Sequence, residues 1–481
     1  MCYTEQEGGN RMNQYDITVK ECELYFCPIK TRVPLKFGTE VTTHVVSART
    51  CITVKTADDT TGIGWGETPL SVAWVWPGTL SYSYRQQRLQ DFCVLLRNAW
   101  KGNSFQGHPM EIGHRFIHEQ LRDVWVQSNE GMEESLLMPW LAALVCNSLF
   151  DLALHDAYGM CHRIDSWETL CAPYMNHDLS WFYSEPYRAL FTGKYPSDYL
   201  LSRQEMPKEL FAWHLIGAND AIDELSFSGD VVEDGYPFYL CEWIRRDGLL
   251  CLKVKLTGID SVWDYERLTV VGKIARQENV EWLTADFNCT VKDPAYVCDI
   301  LDRLLHEYPD IYARLLYVEQ PFPYDIEAYP IDVHAVSARK PLFMDESAHD
   351  WHYLEYGRKL GWTGVALKTC KTLTGALLSL CWAKEHGMTL MVQDLTNPML
   401  AQIPHVQLAA RAGTIMGVET NAMQFYPEIS CNEQRIHPSL YRRTHGCVQL
   451  DSLGAYGLGY RYDEIEKARI DAGVEDLWKK V

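Results

Sequence analysis

Between residues 210 and 419 the chain repeats one pattern: a short apolar run, a polar residue at its end, then a longer amphipathic stretch. The first run is Leu210-Phe211-Ala212-Trp213-His214-Leu215-Ile216, and Leu249-Leu250-Cys251-Leu252 leads into the second. The polar ends are Lys253 and Lys255, then Asp286, Glu319, Asp345, Lys368, Asp394 and Glu419, and from Lys255 onward they are 31, 33, 26, 23, 26 and 25 residues apart. Each interval has room for one helix and the next strand, and a barrel of eight βα units needs roughly 30 residues per unit. Apolar runs separated by helical segments signal a parallel sheet. The pattern predicts an α/β chain whose core is a (β/α)8 barrel, with the polar residues gathered at the C-terminal rim of adjacent strands. At 481 residues the chain exceeds such a barrel of about 250 residues, so a second folding unit is expected.

Taken singly, a charged residue after a strand is an ordinary helix cap or loop group. The order of these charges is more specific. Three consecutive strands end in carboxylates (Asp286, Glu319 and Asp345), a set of oxygen donors suited to a hard divalent cation such as Mg²⁺. The strands on either side of that trio end in lysine, which packing does not require.

The net charge of −20 argues against a partner with a phosphate backbone, because such surfaces carry clustered Lys and Arg. It does not exclude an anionic small molecule in a cleft that holds lysines and a cation. The most apolar stretch, Leu136 to Phe150, is broken by Pro139, Asn147 and Ser148, so neither a signal peptide nor a membrane span is expected. The sixteen cysteines are scattered with no Cys-x-x-Cys pair, as suits reduced thiols in a cytoplasm.

Upstream of the barrel, Ile17-Thr18-Val19 and Cys51-Ile52-Thr53-Val54 read as strands, with a mobile loop between them from Pro28 to Thr43 that carries Lys36 and Phe37. A third strand runs through Gly62-Ile63-Gly64-Trp65-Gly66-Glu67, whose alternate glycines leave one face bare, as in a close-packed hairpin. Leu141, Leu144, Val145, Leu149 and Leu152 mark a buried helix from Pro139 to Gly159. Residues 163–206 show no period and read as an insertion.

Five segments, Lys253-Val254-Lys255, Asp286-Phe287-Asn288, Val318-Glu319-Gln320-Pro321, Met344-Asp345-Glu346-Ser347 and Leu367-Lys368-Thr369, together resemble the enolase superfamily, and specifically its muconate lactonizing enzyme subgroup. Gly64-Trp65-Gly66-Glu67, Ala153-Leu154-His155-Asp156 and Gly457-Leu458-Gly459 resemble that family's N-terminal capping domain, its following helix and its C-terminal segment. The mandelate racemase subgroup calls for a His at the end of the seventh strand, and Met391-Val392-Gln393-Asp394 has none. The Asp-x-Asp pair of dipeptide epimerases is also missing from the eighth strand.

The resemblance implies an α+β capping domain with its linking helix over 1–162, an insertion over 163–206, a modified TIM barrel over 207–427 and a C-terminal segment over 428–481 that packs back on the cap. It implies Asp286, Glu319 and Asp345 as ligands of Mg²⁺, for which Mn²⁺ is a substitute, and Lys255 and Lys368 as bases on opposite faces of the substrate carbon. Lys253 shares a strand face with Lys255 and is expected to lower its neighbour's pKa and to polarise the substrate carboxylate. Asn288 and Glu346 are expected to brace the ligands, Glu419 and Asp394 to take a supporting or substrate-facing part, and Lys36 and Phe37 to lie on the loop that closes the barrel mouth. The implied reaction removes the proton α to a small-molecule carboxylate through a metal-stabilised enediolate. An isomerase of the racemase, epimerase or cycloisomerase kind leads, a dehydratase using the same site is the alternative, and a non-catalytic binding barrel is a third reading. A homo-oligomer is expected, with no nucleic acid or membrane partner.

Overall fold

The structure, a computed structural model, describes residues 13–37, 40–224 and 231–481. An antiparallel meander opens the chain: β1 (Ile17–Phe37), β2 (Glu40–Thr56) and β3 (Thr61–Leu70). The expected loop from Pro28 to Thr43 is instead mostly paired strand. Pro28 to Lys30 oppose Val46 to His44, and after a register shift Leu35 and Lys36 oppose Thr42 and Val41. Ile29, Thr31, Val33, Val41, Thr42 and Val45 favour extended backbone, and Pro28 is tolerated because this part of β1 is a sheet edge. The tip, residues 38 and 39, lies outside the described residues.

After β3 come a short helix α1 (Val72–Val75), α2 (Tyr82–Lys101) and the long apolar α3 (Trp140–His162). The bare face of β3 receives α3 directly. A Cβ on Gly64 would lie 2.0 Å from Ala157 N, and one on Gly66 would lie 1.9 Å from Leu149 O, so only glycine lets sheet and helix backbones meet here. The helix also runs past Gly159, its expected end, to a left-handed Arg163. Gly159 serves close packing instead, since a Cβ there would lie 2.3 Å from Ser166 Oγ.

Eight parallel strands follow: β4 (Glu209–Ile216), β5 (Cys251–Lys255), β6 (Trp282–Asp286), β7 (Leu315–Glu319), β8 (Leu342–Met344), β9 (Gly364–Leu367), β10 (Thr389–Val392) and β11 (Val418–Glu419). They are hydrogen-bonded in the order β10-β9-β8-β7-β6-β5-β4-β11. The ring closes between β10 and β11, where Ile415 N donates to Leu390 O. This is the predicted modified TIM barrel with an N-terminal α+β cap.

Residues 163–206 form four single 3₁₀ turns that bury Trp167, Leu170, Phe182 and Phe191 against the barrel's helical layer. Tyr183 Oη donates to Leu378 O at 2.6 Å, and Arg411 pairs with Asp165 at 2.7 Å and Glu168 at 2.8 Å. At the C-terminus Lys479–Lys480 adds a short antiparallel strand to β1. All fifteen cysteines among the described residues are free thiols.

One buried carboxylate ties three distant motifs together. Asp156 on α3 accepts from Trp65 N of β3 at 2.9 Å and from Leu458 N of the C-terminal segment at 2.7 Å. Burial pushes its carboxyl up to about 7. The neighbouring Glu67 is paired with buried Arg49, which also lies 3.5 Å from Glu433.

Candidate active site

Alternation along the strands divides the barrel interior into two layers. Trp213, Cys251, Tyr317, Phe343 and Met391 fill the lower layer as an apolar plug. Two residues further along the same strands point inward as Leu215, Lys253 and Glu319, and one further step along β5 is Lys255. Above the plug lies a small cavity lined by Lys253, Lys255, Asp345, Lys368, Asp394 and Glu419, with Trp74 of α1 reaching in from the cap. β5 and β9 are four places apart in a ring of eight, so Lys255 and Lys368 approach this cavity from across the barrel.

The structure places every barrel residue singled out in the sequence in or against this rim. Lys253 Nζ donates to Glu319 at 2.6 Å and Glu419 at 3.1 Å, and lies 3.2 Å from Asp286 Oδ2. Burial disfavours its charge, but Glu319, Glu419 and Asp286 outweigh burial and hold the ammonium well above the ordinary lysine value. Lys255 Nζ contacts the same Asp286 oxygen and donates to Asn288 Oδ1 at 3.0 Å. On the other side Lys368 Nζ lies 3.3 Å from Asp345 Oδ2, donates to Asp394 O at 3.0 Å and sits over the Trp74 ring. Burial again opposes its charge, and Asp345 holds it protonated.

The three carboxylates end adjacent strands and are nearly fully buried. Burial works to raise Asp286, yet Lys255 and Lys253 keep it below the usual carboxylate range. Burial and then Asp286 push Glu319 well up, so the two carboxylates compete for the cationic groups between them. Among the described residues no three His, Cys, Asp or Glu side chains enclose one ion-sized point as they stand, and Lys253 Nζ lies between Glu319 and Asp286. The donor set nonetheless fits the hard cation that the motifs imply. All its atoms are carboxylate oxygens, and Asp345 Oδ1 is buried without a hydrogen-bond partner.

The remaining candidates divide by their contacts. Asn288, in the left-handed region, donates its backbone N–H to Asp286 at 2.9 Å and its side-chain amide to Leu256 O, which aims its oxygen at Lys255. Glu346 reaches toward the cap, accepting from Trp74 Nε1 at 2.9 Å, and burial with Asp345 and Asp286 nearby pushes it up to about 6. Asp394 accepts from Asn421 N and Asn421 Nδ2, so it stitches the ends of β10 and β11 together. Glu419 accepts from Asn421 as well as Lys253. Lys36 lies on the hairpin arm opposite Val41 and is not a lining residue, while the side chain of Phe37 is outside the described residues.

Several rim residues are not among the candidates that the sequence singles out. Lys371 donates to Ala348 O at 3.1 Å and to Asp345 O, and Gln393 donates to Glu319 at 2.5 Å. Gln320 accepts from Asp345 N and Ser347 Oγ, both at 2.7 Å, and so fixes the turn that carries Asp345. The usable sign was position: Gln393 ends the seventh strand run, and Gln320 directly follows Glu319. Trp74 had a weaker one, an aromatic cluster just after β3.

This is a capped (β/α)8 barrel with its polar groups at the strand C-termini, and comparison with known proteins gives the same class. Residues 240–466 match the family model described as Enolase C-terminal domain-like. A mandelate racemase/muconate lactonizing protein from Herpetosiphon aurantiacus superposes with a TM-score of 0.53 at 17% identity, covering 92% of this chain and 97% of that one. An N-succinyl Arg/Lys racemase from Bacillus cereus gives 0.57 at 14%, covering 96% and 100%. A dipeptide epimerase from Cytophaga hutchinsonii, complexed with Mg and the dipeptide D-Ala-L-Val, gives 0.56 at 16%, covering 85% and 88%. No curated protein matches the chain in sequence. The chain thus shares the fold of these capped barrels, and its residues 240–466 are similar to the Enolase C-terminal domain-like family.

Proposed function

We propose that the protein is a Mg²⁺-dependent enzyme that moves the proton α to the carboxylate of a small molecule, either removing it and returning a proton to the same carbon, as a racemase or epimerase, or transferring it as a ring bond at the β-carbon forms or breaks, as a cycloisomerase. The observation that carries this reading is a single cavity with Lys255 on one side and Lys368 across the barrel. Asp286, Glu319 and Asp345 would hold the cation, with Mn²⁺ as a substitute. When bound, it supplies electrostatic stabilisation for the negative charge that develops on the substrate carboxylate.

The lysines then have separable tasks. Lys253 is the amine that three carboxylates keep charged, which suits it to orient the substrate carboxylate. Lys255, aimed by Asn288, takes the α-proton on its face. Lys368, kept protonated by Asp345, delivers a proton on the other, and the roles exchange in the reverse direction. Trp74 covers the cavity and excludes water from the reacting carbon. The protonated state of Lys368 also favours one second reading, a dehydratase in which that ammonium protonates a departing β-hydroxyl.

Glu319→Gln tests the ligand set. Calorimetry should register Mg²⁺ binding to the wild type and a loss of about tenfold or more in the variant. Equal affinity in the two proteins would remove Glu319 from the set and the cation from this account.

A further inference from the structure

The loop after β10 holds two non-glycine residues in the left-handed region, Thr396 at φ +58° and Met399 at φ +43°. A β-branched side chain crowds the backbone there, so such a conformation persists only where its surroundings enforce it, and it gathers at functional sites. Both ends of this loop are tied down. Asp394 accepts from Asn397 N at 3.3 Å and from Asn421 N at 2.9 Å, Met399 N donates to Ser430 Oγ at 2.9 Å, and Tyr441 Oη donates to Met399 O at 2.5 Å. β10 neighbours β9, and Asp394 O accepts from Lys368 Nζ, so Thr396 stands on the Lys368 side of the cavity that it lines.

Among the described residues lining that cavity, the uncharged ones are Trp74, Leu215, Leu395 and Thr396. Trp74 Nε1 is engaged with Glu346, and the leucines offer no polar side-chain atom. Thr396 is buried as a residue, yet its Oγ1 bonds to no described residue and is not one of the polar atoms sealed inside the core, so it opens on the cavity. The lysines and carboxylates around it are paired with one another, and a charged substituent beside Thr396 would gain no counter-charge. A hydroxyl or an amide needs only a partner that donates or accepts, and a threonine hydroxyl does both.

Resting on the proposed function, with the reacting carbon between Lys255 and Lys368, we infer that Thr396 is a specificity-determining residue whose hydroxyl hydrogen-bonds an uncharged hydroxyl or amide group on that carbon. A site built around such a bond rejects an analogue that lacks the group, because the threonine hydroxyl is then left without a partner.

Calorimetry on the Mg²⁺-loaded protein tests this with lactate as the hydroxyl probe, N-acetylalanine as the amide probe and isobutyrate as the apolar control. Thr396→Val, which keeps the branched shape, should weaken lactate or N-acetylalanine by about three- to tenfold, the worth of one hydrogen bond, and leave isobutyrate unchanged. Thr396→Ser should bind as wild type does. Loss confined to lactate identifies a hydroxy acid, and loss confined to N-acetylalanine an acylated amino acid. Failure of the wild type to bind either probe, or wild-type affinity for both in Thr396→Val, would overturn the assignment. So would an equal loss of isobutyrate, because shape and not the hydroxyl would then decide. If Thr396→Val does not fold, crystals of the wild type grown with Mg²⁺ and each probe give a second reading. A probe hydroxyl or amide within hydrogen-bond distance of Thr396 Oγ1 supports the assignment, and one turned elsewhere overturns it. Mg²⁺ titrated alone into the same proteins tells the two readings apart. Cation binding without discrimination among the probes overturns the role of Thr396 only, and no cation binding overturns the proposed function as well.

Discussion

Asp156→Asn is a perturbation whose effect on stability can be worked out from two hydrogen bonds and one burial. The carboxylate accepts from Trp65 N and Leu458 N, and burial holds its pKa at about 7 in the folded protein, above the ordinary aspartate value of 3.8. A group whose folded pKa is raised stabilises the fold fully below the unfolded value, and that contribution is lost as pH rises through the folded one. The whole gap of about three units corresponds to about 4 kcal/mol, of which about 2 kcal/mol falls between pH 5 and pH 7. Asparagine does not ionise, but it offers one acceptor where two N–H groups need one each, at a cost of about 1–3 kcal/mol. The variant should thus gain about 2–3 kcal/mol on wild type between pH 5 and pH 8, starting close to it and ending the more stable of the two. Urea unfolding of both proteins across that range gives the difference directly. Parallel stability curves would refute the assignment of a raised pKa to this clamp.

Gly64→Ala places a Cβ 2.0 Å from Ala157 N, so the helix must lift from the sheet; a loss of about 2–3 kcal/mol is expected by urea unfolding, against almost none for Gly78→Ala, whose added Cβ would meet nothing within 4 Å. Arg32→Ala removes the bonds that hold the hairpin arm to Asp234, Tyr236 and Pro237, so amides of residues 29–36 should exchange at least about tenfold faster, and unchanged protection would show that the arm is held by its own pairing.

The barrel and its rim were legible because two regularities reinforce each other: inward side chains alternate along a strand, and every βα unit returns the chain to the same end. Lys253, Lys255, Asp286, Glu319, Asp345 and Lys368 can therefore be assigned to one rim from the sequence alone. What escaped depends on contacts between distant segments. The hairpin arm read as a loop because Pro28, Pro34 and Gly38 dominate local propensity, whereas its pairing partner supplies the order. Trp74 becomes part of the site only through a cap that docks on the barrel, and no local period announces it. Glu346 follows Asp345 in sequence, but the chain turns it toward Trp74.

The central claim is that two lysines serve opposite faces of one carbon. Its most direct test is solvent exchange in D₂O, followed by NMR, with both enantiomers of a panel of N-succinyl amino acids and dipeptides and the enzyme loaded with Mg²⁺. Wild type should incorporate deuterium at the α-carbon from both enantiomers of its substrate. Lys368→Ala should retain exchange from one enantiomer only, through Lys255, and lose net turnover. Undiminished exchange from both enantiomers in Lys368→Ala would contradict the account, because one base would then be serving both faces.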